Sequence, residues 1–480
     1  MRVSIELKKS ILMIFLLLLG VFQMGILWSD KSSGVPFPFL SQSYWPKAET
    51  VKIDEVKGLY IHPKRIVVSD GGTGITDGNG KYWPLSSDSD AYKGIWADVS
   101  TRYLKQILEK KPDSENTSDW DTIMKKKCII LEFKNPIPVG ILQWMSGTEK
   151  PVFPPFKEVR MIAVFPESIK YNYNQSIVYL TDDGEKAYEY IVDNEGGMKK
   201  EDYIALMNGI EGNNAIIPMT LVGTYHPVKN DDLLTVLSDK KEEQIIWDLA
   251  LKTPKEIVLL QRDDVDTIQE ILLDSGSKYT EFKDDAGPNA DRTEVLFSDD
   301  EKIVRYYQNG FLDYRFREMK GAKGTVEEAF EKAVAFIEVR RKKIIYETDI
   351  NLCEVVDSQK EQYYKFTFDY IFDNMDIEVL DEQTKTIGPV ITICANRERV
   401  LDVKWHIKTL EYNDYHNYYN LNFYDFYENQ LVLEPRLGGQ IQDISIRYLY
   451  SDYGMRAEPY WLVVVDTDQK FYLKMRGEVE

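Results

Sequence analysis

Three cysteines, four histidines and an absence of familiar catalytic signatures leave this sequence little material for chemistry. Cys128, Cys353 and Cys394 are spread over more than 260 positions with no CxxC spacing, which excludes a disulfide framework and a cysteine-built zinc site. Cys128 and Cys394 sit in apolar runs (Cys128-Ile-Ile-Leu and Ile-Thr-Ile-Cys394) and read as small buried hydrophobes. His62, His226, His406 and His416 include no pair at helical metal-ligand spacing. No GxSxG, SxxK or Cys-His pattern marks a nucleophile. The glycine-rich stretch Gly71 to Gly80 contains neither GxxxxGK[ST] nor GxGxxG. It also lacks the ligand spacing of a calcium loop and reads as a long hairpin or surface loop. Acidic pairs such as Asp182/Asp183 and Asp263/Asp264 are too numerous to single out the two carboxylates of a glycosidase. These absences predict a protein that is not an enzyme and uses no cofactor or metal.

Positive charge is also short, at 59 Lys and Arg against 79 Asp and Glu, a net charge of −20. Such a surface repels nucleic acid and anionic polymers. The one long apolar run, Ile11 to Trp28, follows Arg2, Lys8 and Lys9. Eighteen helical residues cover roughly 27 Å, about the hydrocarbon thickness of a bilayer. The run therefore reads as a transmembrane helix at 11–28 behind a cytoplasmic tail at 1–10. With the basic residues before it, the N-terminus stays inside and about 450 residues lie outside the cell membrane, single-pass. A cleaved signal peptide would need small residues at a cleavage site, but the chain continues Leu27, Trp28, Ser29, Asp30. Gly20 and Gln23, flanked by Leu16 and Leu27, lie on one helical face, a small residue beside an amide that suits a partner helix.

Residues 29–50 hold three prolines and no helical period, as in an extended stalk. Beyond them the chain alternates strands and helices. Strands are expected at Arg65 to Val68, Cys128 to Phe133, Val159 to Phe165, Ser176 to Leu180 and Tyr188 to Val192. A helix is expected through Ile95, Val99, Tyr103, Ile107 and Leu108. A polar stretch near 229–243 separates an N-terminal α+β domain (51–240) from a middle one (241–345). The middle domain opens with a helix through Val265 and Leu272 that ends near Gly276. It contains a hairpin over 303–316 with an Asn309-Gly310 turn, and a helix with the capping box Thr325-Val-Glu-Glu328. The basic end of that helix, Arg340 to Lys343, reads as a solvated cap. The rest (346–480) is strand-rich, including a strand over Val400 to Leu410. The fold class is α+β: after the anchor, antiparallel sheets with helices packed on one face.

The segment Tyr412 to Tyr427 holds eight Tyr or Phe in 16 residues. One reading is a sheet face. The other is a recognition surface for a protein or glycan centred on Tyr415, Tyr418, Tyr419 and Tyr424.

The chain also contains Pro63-Lys-Arg-Ile-Val-Val68, Tyr363-Tyr-Lys-Phe-Thr-Phe-Asp-Tyr370, Ile377-Glu-Val379, Val390-Ile-Thr-Ile393, and Ile446-Arg-Tyr448 through Glu458-Pro459-Tyr-Trp461. These short patterns resemble the YycH family of membrane-anchored regulators. Arg447 stands where the family pattern carries glycine. The resemblance implies a C-terminal domain like that of the relative YycI. It also implies partnership with a YycI-like protein and with the sensor histidine kinase WalK, whose activity such proteins tune, partly through transmembrane helices. The expected function is regulation of a cell-wall two-component kinase, with Leu16, Gly20, Gln23 and Leu27 as the intramembrane contact face. The alternative is a membrane-tethered module that binds wall glycan or polymer through the aromatic segment.

Overall fold

The computed structural model describes residues 52–479 apart from 72–81, 86–88, 115–117, 125, 153, 167–174, 183–185, 213–244, 274–278, 284–292, 320, 346–347, 359, 373–374, 383, 413–416, 421–425, 427–429, 432–433, 435–439, 453, 466–468 and 476. The expected tail, span, stalk and the boundary at 229–243 lie outside the described residues. Among those described, no helix is long and apolar enough to cross a membrane.

The first sheet comprises β1 (Arg65–Asp70), β2 (Tyr82–Pro84), β3 (Ser118–Asp119), β4 (Lys127–Pro138), β5 (Glu158–Phe165), β6 (Gln175–Thr181) and β7 (Lys186–Asp193). They run antiparallel in the order β2-β1-β4-β5-β6-β7-β3. The glycine-rich stretch joins β1 to β2, which pair as a hairpin. In β4 an uninterrupted apolar run fits burial on both faces. Ile129, Leu131 and Phe133 enter the main core, whereas Cys128 and Ile130 meet Trp120, Met161 and Tyr179 in a smaller one. Pro136 falls where the β4–β5 register shifts, a place that needs no ladder donor.

Helix α1 starts at Asp90–Asp98, capped by the Ser89 side chain, which accepts from the Tyr92 N–H at 3.2 Å. It continues through a π turn (Val99–Tyr103) and Leu104–Leu108. Its polar side sheathes β7: Gln106 and Arg102 hold the Asp193 backbone, and Asp113 just beyond accepts from the Ile191 N–H. An edge that would otherwise offer free N–H and C=O groups is thereby closed. Helices α2 (Val139–Ser146) and α3 (Lys200–Gly212) complete this half.

Beyond it come β8 (Ile245–Trp247), β9 (Leu249–Lys252), α4 (Val265–Leu272), β10 (Tyr279–Lys283), β11 (Glu294–Ser298), β12 (Lys302–Tyr307), β13 (Phe311–Phe316) and α5 (Val326–Ile344). Next are β14 (Asp349–Ser358), β15 (Tyr363–Phe372), β16 (Met375–Leu380), β17 (Ile387–Gly388), β18 (Ile391–Ala395), β19 (Val400–His406), β20 (Thr409–Tyr412) and β21 (Asn417–Asn420). The last strands are β22 (Ile441–Ser451), β23 (Arg456–Val465), β24 (Lys470–Lys474) and β25 (Gly477–Val479). Fifteen of these strands share one sheet whose main path is β10-β11-β12-β13-β19-β18-β15-β16-β22-β23-β9-β20. The pairing of β13 with β19 carries this sheet across the boundary expected at 345/346, so the middle and C-terminal segments share one structural layer. Residues Val51–Glu480 form one compact unit, with a core that runs from Val56 to Met475.

The capping box of α5 is present, with Thr325 and Glu328 each satisfying the other's backbone N–H. Ala329, Phe330, Ala333, Val334 and Ile337 point into the core. Arg340 and Arg341, expected in solvent with Lys342 and Lys343, are buried. Arg340 Nε donates to the carbonyl of Leu272 at 2.7 Å, and Arg341 Nε to that of Thr348 at 3.1 Å. Leu272 is the last residue of α4, so the arginine satisfies a carbonyl that a helix end leaves open.

The hairpin turn also differs from expectation. A two-residue type I′ turn needs positive φ at both central positions, and here only Gly310 has it (+84°). The loop takes three residues, 308–310, with the Gly310 N–H on the Tyr307 carbonyl at 2.9 Å. A Cβ at Gly310 would lie 2.6 Å from the Ile407 carbonyl oxygen. Gly310→Ala should therefore lower stability by at least about 1 kcal/mol, read as a drop in urea midpoint at unchanged slope.

Candidate functional site

Two strands of the first half end in charge. Arg65 in β1 sits opposite Glu132 in β4, and Lys134 lies two residues further along the same strand. Across from them, β22 places Asp443, Ser445 and Arg447 at alternate positions of one face. Parallel pairing sets Arg447 opposite Asp376 of β16. β15 contributes Asp369, β14 Cys353, and β24 Tyr472.

These groups meet in a buried seam. Lys134 Nζ lies 2.7 Å from Asp369, 3.1 Å from Asp376 and 3.4 Å from Glu378. Arg447, only 4% exposed, pairs with Asp376. Tyr472 donates to Glu378 at 2.7 Å and the Cys353 thiol to Asp369 at 3.0 Å. In a neighbouring group Lys64 pairs with Asp443, and Arg65 bridges Glu132 and Asp443. Backbone contacts extend the seam: Asn135 Nδ2 donates to the Cys353 carbonyl at 2.6 Å and the Leu352 N–H to Tyr60 at 2.8 Å. The Asn351 amide holds both backbone groups of His62.

Burial opposes every one of these charges, and the neighbours decide the outcome. It drives the Lys134 amine down, but Asp369 and the surrounding anions outweigh it and the pKa rises. It drives Glu132 and Asp443 up, but Arg65 and Lys64 hold both below the ordinary carboxylate range. Depressed carboxylates stabilise the fold above their unfolded pKa and lose that contribution as pH falls through the folded value, so this part of the seam weakens only in acid. Burial and then Asp369 push the Cys353 thiol up, which keeps it from becoming a thiolate nucleophile. The arrangement suits geometry-setting rather than turnover: buried ion pairs add little net stability over apolar packing, but breaking one is costly.

The residues chosen from the sequence fall elsewhere. Leu16, Gly20, Gln23 and Leu27 lie outside the described residues, as do Tyr415, Tyr424, His226 and His416. Tyr418 pairs with Trp247 through its backbone in β21. Tyr419 is 3% exposed and hydrogen-bonded to Asp248, so its ring belongs to the core and not to an open recognition surface. Phe426 is likewise buried, stacked on Trp461 at 4.3 Å. His406 is half-buried, and desolvation lowers its pKa to about 4. Cys128, Cys353 and Cys394 are all free and buried. No group of three His, Cys, Asp or Glu among the described residues could hold a metal ion. The seam was missed, although its signal was present: single ionisable residues inside apolar strand runs. Lys64, Arg65, Asp369, Glu378 and Arg447 each lie within one of the short patterns that resemble the YycH family.

No family model and no curated protein sequence matches the chain. Among solved structures, the crystal structure of YycH from Bacillus subtilis matches it with a TM-score of 0.51. The match covers 88% of this chain and 97% of that one. The chain has the fold of YycH. Identity to YycH is 14%, so the likeness lies in the path of the backbone and carries no side-chain role across. In this chain the seam described above joins the seven-stranded sheet to the fifteen-stranded one.

Proposed function

We propose that this chain is a membrane-anchored extracytoplasmic regulator that modulates a cell-wall-related sensor histidine kinase, together with a YycI-like partner. The observation that carries this reading is the YycH fold over 88% of the chain. The basic tail and 18-residue apolar run at the N-terminus support it, because a regulator of a membrane kinase must reach that kinase within or beside the bilayer. Control requires the regulator to bind one kinase state better than the other. The helical face Leu16, Gly20, Gln23 and Leu27 is the contact we assign to that task, with Gly20 allowing close approach and Gln23 supplying an interhelical hydrogen bond. An aromatic wall-binding surface is the weaker reading, since Tyr419 and Phe426 are committed to the core.

The test is co-purification of the full chain with the kinase from membranes. Gln23→Leu should reduce the recovered kinase about tenfold, the equivalent of ~1–2 kcal/mol for one hydrogen bond between helices. Exchange of residues 11–28 for an unrelated span should abolish recovery. Kinase output that stays the same when the protein is deleted would count decisively against the proposal.

A further inference from the structure

Between the helical turn Ile53–Val56 and β1 the chain has no regular secondary structure, yet Tyr60, Ile61, Pro63 and Arg65 are buried. Irregular segments usually run over the surface, because buried backbone groups need partners. Here the partners come from five different elements. The Tyr60 carbonyl accepts from the Leu352 N–H of β14 at 2.8 Å, and the Tyr60 hydroxyl donates to Glu338 of α5 at 2.6 Å. The Asn351 side chain of β14 holds both backbone groups of His62, at 2.9 and 3.4 Å. Pro63 brings no N–H, and its carbonyl accepts from the Tyr92 hydroxyl of α1 at 2.7 Å. Lys64 pairs with Asp443 of β22, and Arg65 bridges Glu132 of β4 and Asp443.

Of these elements α1 and β4 belong to the first half of the chain, and α5, β14 and β22 to the second, so Tyr60 to Arg65 tie one half to the other. Their footing on β14 adjoins the seam: Asn351 stands opposite Asp369, the acid that Lys134 holds, and the Cys353 carbonyl two residues on takes the Asn135 amide of β4. Three of the four backbone bonds named above end on side chains and not on a strand ladder, so the stretch opens locally without unpairing either sheet. It also follows closely on the stalk read at 29–50, and along the chain any displacement of the anchored N-terminus reaches the sheets through it. We propose that Tyr60–Arg65 is a releasable strap. Seated, it locks the two sheets at the seam; lifted, it frees β14 from β4, so that the state of the anchor and the state of the seam are coupled, each biasing the other. The link to kinase control rests on the regulatory reading above, whereas the lock itself does not.

Hydrogen exchange of the full chain in detergent, Asn351→Ala against wild type, tests the lock. Loss of the clamp on His62 should speed amide exchange about tenfold both in the strap (60–65) and in the seam segments 134–137 and 350–353. Acceleration confined to the strap, or none, overturns the lock. In membranes, Asn351→Ala should recover the kinase as the wild type does, while kinase output moves to the level seen without the protein. Wild-type output from a variant whose strap exchanges freely overturns the coupling, and so does loss of recovery, which would make the strap a binding surface. If the wild type itself neither recovers the kinase nor alters its output, the regulatory reading fails, and exchange alone still decides the lock. Should Asn351→Ala fail to fold, Tyr60→Phe, which leaves Glu338 its two cations Arg341 and Lys342, is judged by the same results.

Discussion

Lys134→Met will destabilise the protein by about 3–5 kcal/mol at pH 7, although methionine matches lysine closely in shape. The loss is electrostatic. Lys134 contacts Asp369, Asp376 and Glu378, and without it three carboxylates enclosed by protein face Arg447 alone. Arg447 pairs with Asp376, which leaves Asp369 and Glu378 with neutral hydrogen-bond partners, Cys353 and Tyr472. Because a buried carboxylate without a cation can take a proton instead, the deficit should shrink as pH is lowered from 7 to 5. The sign follows from linkage: a carboxylate whose pKa is raised in the folded variant binds more protons there than when unfolded, so acid favours the fold. Urea unfolding of wild type and variant at both pH values checks this. A loss below 1 kcal/mol, or one that grows in acid, would show that the seam does not depend on this lysine.

Phe330→Ala should cost a similar amount, about 3–5 kcal/mol, by a different route. Phe330 on α5 meets Trp144 of α2 edge-on at 5.1 Å, and packs against Phe366 and Phe368 of β15 at 5.4 and 6.2 Å. Close approach of the two helices depends on Gly140, where a Cβ would come within 2.9 Å of Val326 and nearer still to Glu327. Truncation opens a cavity at the junction of four rings. No charge is involved, so the loss should be the same at pH 5 and pH 7. The contrast with Lys134→Met separates the polar and apolar halves of one junction.

Much of the local structure was legible because its causes are local. The β4 run, the helix through Ile95 to Leu108 and the Thr325 capping box depend on residues within a turn or a strand of one another, and the structure places them as the sequence predicts. The seam was not legible in that way. Lys134 lies 235 residues from Asp369 and 244 from Glu378, and only the assembled sheets bring them together. Arg340 and Arg341 misled for the same reason: as a basic helix end they fit solvent, but the carbonyls they satisfy belong to α4 and to the turn before β14. The aromatic segment revealed its composition but not its facing, and a side chain's face is settled by register with distant β8 and β25.

The order of strands in the large sheet also constrains how the protein can be made. β9, complete by residue 252, finds its partners in β20 and β23, and β16 receives β22 only by a parallel pairing across a long connection. Such non-local pairings form slowly, and unpaired edges are exposed until they do. Lys134 is therefore synthesised long before its carboxylates, and β9 before the strand at 456–465 that closes over it. A nascent chain halted after β21 would hold twelve of the large sheet's fifteen strands, with β16 and β9 short of partners, and a seam that still lacks Asp443 and Arg447. Completion of the fold, and with it any competence to engage a partner, waits for the last tenth of the polypeptide.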